Sequence, residues 1–172
     1  MNGVYQFILY TLDRPYLVRS PIELSVQRGL HHFTSTETPA YTKPMRQFEK
    51  SFTAQSADID ELGHVNNAVW VRWVQDLATA HWAAVATPEQ VASYVWVVVR
   101  HEIDYAGNLN EGESLNGHTW VAREAVGAKF DRYAEFSKGG RVIVRAKTTW
   151  AILDRASARP IRVPKAVVDR FA

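Results

Sequence analysis

The segment from Asn66 to Val85, N-N-A-V-W-V-R-W-V-Q-D-L-A-T-A-H-W-A-A-V, restricts the fold of this chain more than any other stretch. Val69, Trp73, Leu77, Ala80 and Ala84 recur at helical spacing. Trp70, Val74, Ala78 and Trp82 are apolar as well, which leaves a narrow polar stripe of Arg72, Gln75, Asp76 and Thr79. A helix that is apolar around most of its circumference cannot lie on a surface with one face in water. It needs cover on most sides. Asn66 or Asn67 is placed to cap its start, and Thr87-Pro88 ends the pattern.

The cover must come from strands. Before the helix, R-Q-F-E-K-S-F-T puts Phe48, Lys50 and Phe52 on one face and polar residues on the other, as in a half-buried strand. After it, Y-V-W-V-V-V-R-H-E-I-D-Y starts apolar on both faces and then alternates. G-N-L-N-E-G-E-S reads as a loop, L-N-G-H-T-W-V-A-R as a weaker strand, and A-V-G as a turn. F-D-R-Y-A-E-F alternates clearly, and Lys138-Gly139-Gly140 forms a tight turn into R-V-I-V-R-A-K-T-T-W-A-I-L-D. The tail V-P-K-A-V-V-D-R-F reads as a short helix opened by Pro164. The expected architecture is α+β: an antiparallel sheet wrapped around one long central helix, with the last four strands as a meander. A single sheet of this kind leaves an exposed edge and an incompletely covered helix end, which homo-oligomerisation would relieve.

Residues 1–44 differ from the rest, with Pro15, Pro21, Pro39 and Pro44 and no sustained periodicity. They read as an N-terminal extension, either disordered or loosely packed, or as an upstream misassignment of the start site. Residues 45–172 read as one complete domain. The formal net charge of +2 lacks the basic density of a nucleic-acid binder. The absence of cysteine excludes disulfides, thiolate metal sites and cysteine nucleophiles, and fits a cytoplasmic protein. No apolar run approaches the roughly 20 residues of a membrane span.

Directly before the helix stands D-I-D-E-L-G-H-V-N-N, Asp58 to Asn67. Taken alone, it fits a capped loop, a metal site or a catalytic loop. The Asp58/Asp60 spacing resembles the start of a calcium loop, but the later ligand positions and the closing Glu are missing. None of His31, His32, His81, His101 and His118 forms a ligand pair at helical spacing, so no metal is expected.

The pattern D-x-D-x-x-G-H-V-N-N, set between a strand and an aromatic-rich helix, resembles the hotdog-fold acyl-CoA thioesterases, most of all the 4-hydroxybenzoyl-CoA thioesterase-like group. The same loop is similar to that of plant acyl-ACP thioesterases. R-H-E-I-D-Y-A-G-N-L-N-E-G-E, Arg100 to Glu113, resembles the family's second strand and the loop after it. The resemblance implies hydrolysis of an acyl-CoA thioester by a homodimer or homotetramer, with an active site at a subunit interface and no cofactor beyond the coenzyme A of the substrate. It places Asp60 at the family's catalytic carboxylate, as general base or nucleophile, against the plainer reading of an Asx-turn. His64 matches the motif histidine. The backbone amides of Gly63, His64 and Val65, near the positive end of the helix, are expected to hold the oxyanion. Asp58 is expected to point away from Asp60 and to hold the loop.

Asn66, Asn67 and Trp70 are candidates for substrate contact beside their capping and core roles. No Gly-rich phosphate loop is present, so surface cations, among them Arg100 and Arg132, are candidates for the nucleotide end of coenzyme A. An acyl-ACP thioesterase, a non-catalytic acyl-thioester-binding protein and a hydratase on the same scaffold are the competing readings.

Overall fold

The computed structural model describes residues 47–171, so the expected N-terminal extension lies outside the described residues. Strand β1 (Phe48–Thr53) leads through a short 3-10 turn (Ser56–Asp58) and the motif loop into helix α1 (Asn67–Val85). A second short helix, α2 (Pro88–Ser93), precedes β2 (Tyr94–Tyr105), β3 (Ser114–Val121), β4 (Lys129–Lys138) and β5 (Arg141–Asp154), and α3 (Lys165–Val168) lies near the end. Helix α2 was not expected. Thr87 accepts from the Gln90 N–H while Gln90 reaches back to the Thr87 N–H, so the residues that end α1 start a new helix with a capping box.

The five strands form one sheet in the order β1-β3-β4-β5-β2. All four neighbouring pairs are antiparallel. The expected meander holds for β3-β4-β5 only. Strand β2 crosses to the far edge and pairs with β5, from Tyr94↔Asp154 to Tyr105↔Val144. Alternation of side chains identifies a strand but carries no address for its neighbour. Here the long β5 offers the matching edge. The β4–β5 turn puts Gly139 and Gly140 at φ of 55° and 80°, the left-handed pair that a two-residue hairpin requires.

The sheet packs against α1 along a stripe made of Val69, Trp70, Trp73, Val74, Leu77, Ala78, His81 and Trp82, all buried. Ala84 faces solvent, so cover ends one turn before the helix does. Gly117 on β3 marks the tightest approach. A Cβ there would lie 2.9 Å from Phe52 Cε2, 3.0 Å from Phe136 Cε1 and 3.1 Å from Leu77 Cδ2, so three apolar side chains close over the bare backbone. The core divides along α1. One cluster joins the first half of the helix to Phe52, Leu109 and Phe136. The other joins Trp82 to Phe130, Ile152 and the tail residues Val163, Val167 and Phe171.

Candidate active site

The motif loop is a closed structure built by its own residues. The Asp60 and Gly63 backbones close a turn, with the Gly63 N–H donating to the Asp60 carbonyl at 3.0 Å and the Asp60 N–H to the His64 carbonyl at 2.8 Å. Ile59 and Val65 bridge its base. Gly63 has φ +79° with open space around it, so backbone conformation rather than crowding calls for glycine. Asn66 is the N-cap of α1, its side chain accepting from the Ala68 N–H at 2.9 Å. The loop is tied down at two further points. Val65 is fully buried and its N–H donates to the Leu109 carbonyl at 2.9 Å, while Leu109 is itself fully buried. The two motif segments, far apart in sequence, therefore meet at Val65 and Leu109.

Asp58 is the second anchor. It ends the 3-10 turn rather than lying in an extended segment, and it is buried. Its carboxylate accepts from the Gln55 N–H at 3.0 Å and from the Arg72 guanidinium one turn into α1. Burial by itself would raise the Asp58 carboxyl, but the Gln55 N–H and Arg72 outweigh it and hold it below the usual carboxylate value. The sequence reading had Asp58 as a structural residue but missed Arg72 as its counterion. Arg72 lies in the polar stripe of the helix, where it reads as a solvated charge.

Asp60 is half-buried. Its Oδ1 accepts from the Leu62 N–H at 2.9 Å and the His64 N–H at 3.2 Å, which is an Asx-turn. The Oδ2 atom has no hydrogen-bond partner among the described residues. The His64 side chain is exposed beside it in sequence, as are those of Asn66 and Asn67.

The expected set of oxyanion donors is corrected by the hydrogen bonds of the loop. The amides of Gly63, His64 and Val65 donate to the Asp60 carbonyl, the Asp60 carboxylate and the Leu109 carbonyl. They are consumed in folding the loop. The Ala68 and Val69 amides are taken by Asn66. The Asn67 N–H, at the first position of α1, has no acceptor among the described residues.

The remaining candidates separate. Trp70 is fully buried, edge-on to Trp73 and Phe136, so it belongs to the core around the first half of α1. Arg100 is an exposed cation on β2, 3.4 Å from Glu102. Arg132 is not the surface cation the sequence suggested. It is only 7% exposed and its Nη1 donates to His81 Nδ1 at 3.0 Å and Thr119 Oγ1 at 3.1 Å. The signal was in the strand: Phe130, Arg132, Ala134 and Phe136 share one face by simple alternation, and that face is buried. His81 was equally legible, one turn beyond Leu77 on the buried stripe. Burial, with the Arg132 charge adding to it, lowers its pKa to about 4, so it is neutral and accepts from Arg132. Among the described residues no group of three or more His, Asp or Glu side chains could hold a metal, and no helix is long and apolar enough to cross a membrane.

The chain shares its fold with solved structures. A 1,4-dihydroxy-2-naphthoyl-CoA thioesterase from Synechocystis superposes with a TM-score of 0.63 at 14% identity, over 73% of this chain and 96% of that one. A gentisyl-coenzyme A thioesterase gives 0.64 at 18% identity, over 72% and 99%. A Staphylococcus aureus protein in complex with CoA gives 0.64 at 12% identity, over 73% and 81%. No sequence among the curated proteins matches the chain. The family model of the thioesterase-like superfamily matches residues 54–171, from just after β1, through the motif loop, into the tail. With that match over most of its length, and with the five-stranded antiparallel sheet and long helix of the hotdog fold, the chain belongs to the thioesterase-like superfamily of thioester hydrolases.

Proposed function

We propose that the chain hydrolyses an acyl-CoA thioester to the free acid and coenzyme A, with Asp60 as general base. One observation carries this reading: Asp60 is fixed through Oδ1 by two backbone amides while Oδ2 is left without a partner among the described residues. A carboxylate held this way can take a proton from a water without having to reorient. The water oxygen attacks the thioester carbonyl carbon as its proton passes to Oδ2. The carbonyl oxygen becomes an oxyanion, which the Asn67 amide and the positive end of α1 stabilise. Collapse of the tetrahedral intermediate breaks the C–S bond, and the proton held on Asp60 returns to the leaving thiolate. His64, exposed next to the turn, orients the water or the carbonyl. The names of the neighbours favour coenzyme A as carrier: two are CoA thioesterases and a third was solved with CoA. Arg100 is the exposed cation that would meet its phosphates.

A homo-oligomer belongs to the same reading. Strand β2 is a sheet edge, and its Val99 and Tyr105 are 50% and 43% exposed. Apolar strands at an open edge pair with a second copy unless something else covers them. The solution mass is expected to be a multiple of that of the 172-residue chain.

Thiol release from a panel of alkyl- and aryl-CoA esters tests the activity. Asp60→Asn is expected to lower kcat by about 100-fold or more, the scale of a lost general base. Wild-type kcat in that variant would remove Asp60 from the chemistry. Turnover of acyl-ACP without turnover of any acyl-CoA would change the carrier.

A further inference from the structure

At the other end of α1 lies a small cavity, half open to solvent. Its walls are Ala78, Thr79 and Trp82 of the helix, Trp96, Val121, Phe130, Arg132 and Trp150 of the sheet, and Phe171 of the tail. Helical rise puts Thr79 about 18 Å along the axis from Asn67, so this cavity is not the Asp60 loop. Its make-up matches that of small-molecule sites: an apolar, aromatic wall with one charged group.

Arg132 is the unusual member. An unpaired charge costs several kcal/mol to bury, so buried guanidinium groups are generally paired with carboxylates. Among the described residues no acidic side chain pairs with Arg132. Its two hydrogen-bond partners, His81 Nδ1 and Thr119 Oγ1, are neutral acceptors, and both bonds start from the same nitrogen, Nη1. Thr119 is fixed in the accepting role because its own hydroxyl donates to the Tyr133 carbonyl at 2.7 Å. The ring of Phe171 lies 5.2 Å from the guanidinium carbon. Burial lowers the pKa of Arg132 to about 9, which still leaves it charged at neutral pH. Beside it in the wall, the buried indole N–H of Trp150 has no acceptor among the described residues. The fold has thus oriented a cation with neutral groups and left its counter-charge unsupplied.

We propose that this cavity binds a monoanionic carboxylate with a flat apolar body. The carboxylate sits on Arg132, and the body lies among Trp82, Trp96, Phe130, Trp150 and Phe171. The inference is independent of Asp60 and of thioester hydrolysis. The ligand has two possible sources, a free acid that acts as effector and the acid end of the enzyme's own substrate or product.

Tryptophan fluorescence of the full chain, titrated with 2-naphthoate and with the uncharged 2-naphthamide, reads the site directly. The carboxylate is expected to bind at least about tenfold more tightly than the amide, as for a charged hydrogen-bonded pair in a buried site. In Arg132→Met that preference is expected to fall to near one. Should Arg132→Met not fold, Val121→Trp, which fills the cavity, is expected to weaken 2-naphthoate binding by a similar factor. Equal binding of acid and amide by the wild type, or no binding of the acid, overturns the proposal. So does a preference that survives in Arg132→Met. Inhibition of thiol release then separates the sources: competitive inhibition by 2-naphthoate assigns the site to the substrate acid, and an effect on kcat alone assigns it to an effector.

Discussion

Acidification is expected to destabilise this domain well above the pH at which carboxylates titrate, and His81 is the cause. In the fold His81 is 7% exposed, stacked on Phe48 and edge-on to Phe171, and it accepts a hydrogen bond from Arg132. Its pKa is lowered from 6.5 to about 4 by burial and then by the neighbouring guanidinium. Above pH 6.5 the ring is neutral in both the folded and the unfolded chain, and pH has no leverage through it. Below pH 6.5 the unfolded chain takes up a proton that the folded chain refuses, so stability falls until the folded ring also protonates near pH 4. At roughly 1.4 kcal/mol for each pH unit, the whole loss comes to about 3 kcal/mol, and about 2 kcal/mol of it is reached by pH 5. With a urea slope of about 2 kcal/mol/M for a domain of this size, the unfolding midpoint drops by about 1 M between pH 7.5 and pH 5.

His81→Gln keeps an acceptor for Arg132 but has no group that titrates in this range. The variant is expected to lose most of the pH dependence between 7.5 and 5, whatever its stability at pH 7.5. His101, also lowered by burial, acts in the same direction and accounts for a residual slope. Urea unfolding of both proteins at four pH values measures the difference. A His81→Gln slope equal to that of the wild type would refute the account of His81 as a buried neutral acceptor.

Two further predictions rest on packing and on the loop. Gly117→Ala pushes a methyl group into Phe52, Phe136 and Leu77. Overpacking of about 1–3 kcal/mol exceeds the gain of up to about 1 kcal/mol from lower backbone freedom, so Tm should fall; a raised Tm would contradict the close approach at β3. Asp58→Ala leaves the Gln55 N–H and the Arg72 guanidinium without their acceptor. A stability loss of about 1–3 kcal/mol is expected, together with a lower kcat as the Asp60 turn loosens. Asp58→Ala with unchanged thiol release would show that this anchor does not position the turn.

The central helix, five strands, the hairpin at Gly139-Gly140 and a cap at Asn66 or Asn67 were legible in the chain because each rests on local physics. Helical and alternating periods, turn glycines and a capping side chain act over a few residues. The motif loop was legible for the same reason, since its Asx-turn and Gly63 conformation are settled within a few residues of each other. What crosses the fold was not. That β2 pairs with β5 rather than β3 depends on which edges match once the sheet closes around α1. That Val65 meets Leu109 and Asp58 meets Arg72 depends on loops brought together by packing. The amides of Gly63, His64 and Val65 looked available from sequence position, but the turn at Asp60 takes the first two and the distant Leu109 carbonyl takes the third. Arg132 shows the division most plainly. Alternation along β4 puts it on the buried face, so its direction was in the sequence. That it lies there beside a neutral histidine, with no carboxylate pairing with it among the described residues and an aromatic cavity in front of it, was decided only when four strands, one helix and the tail met, because a charge takes its environment from residues far away along the chain.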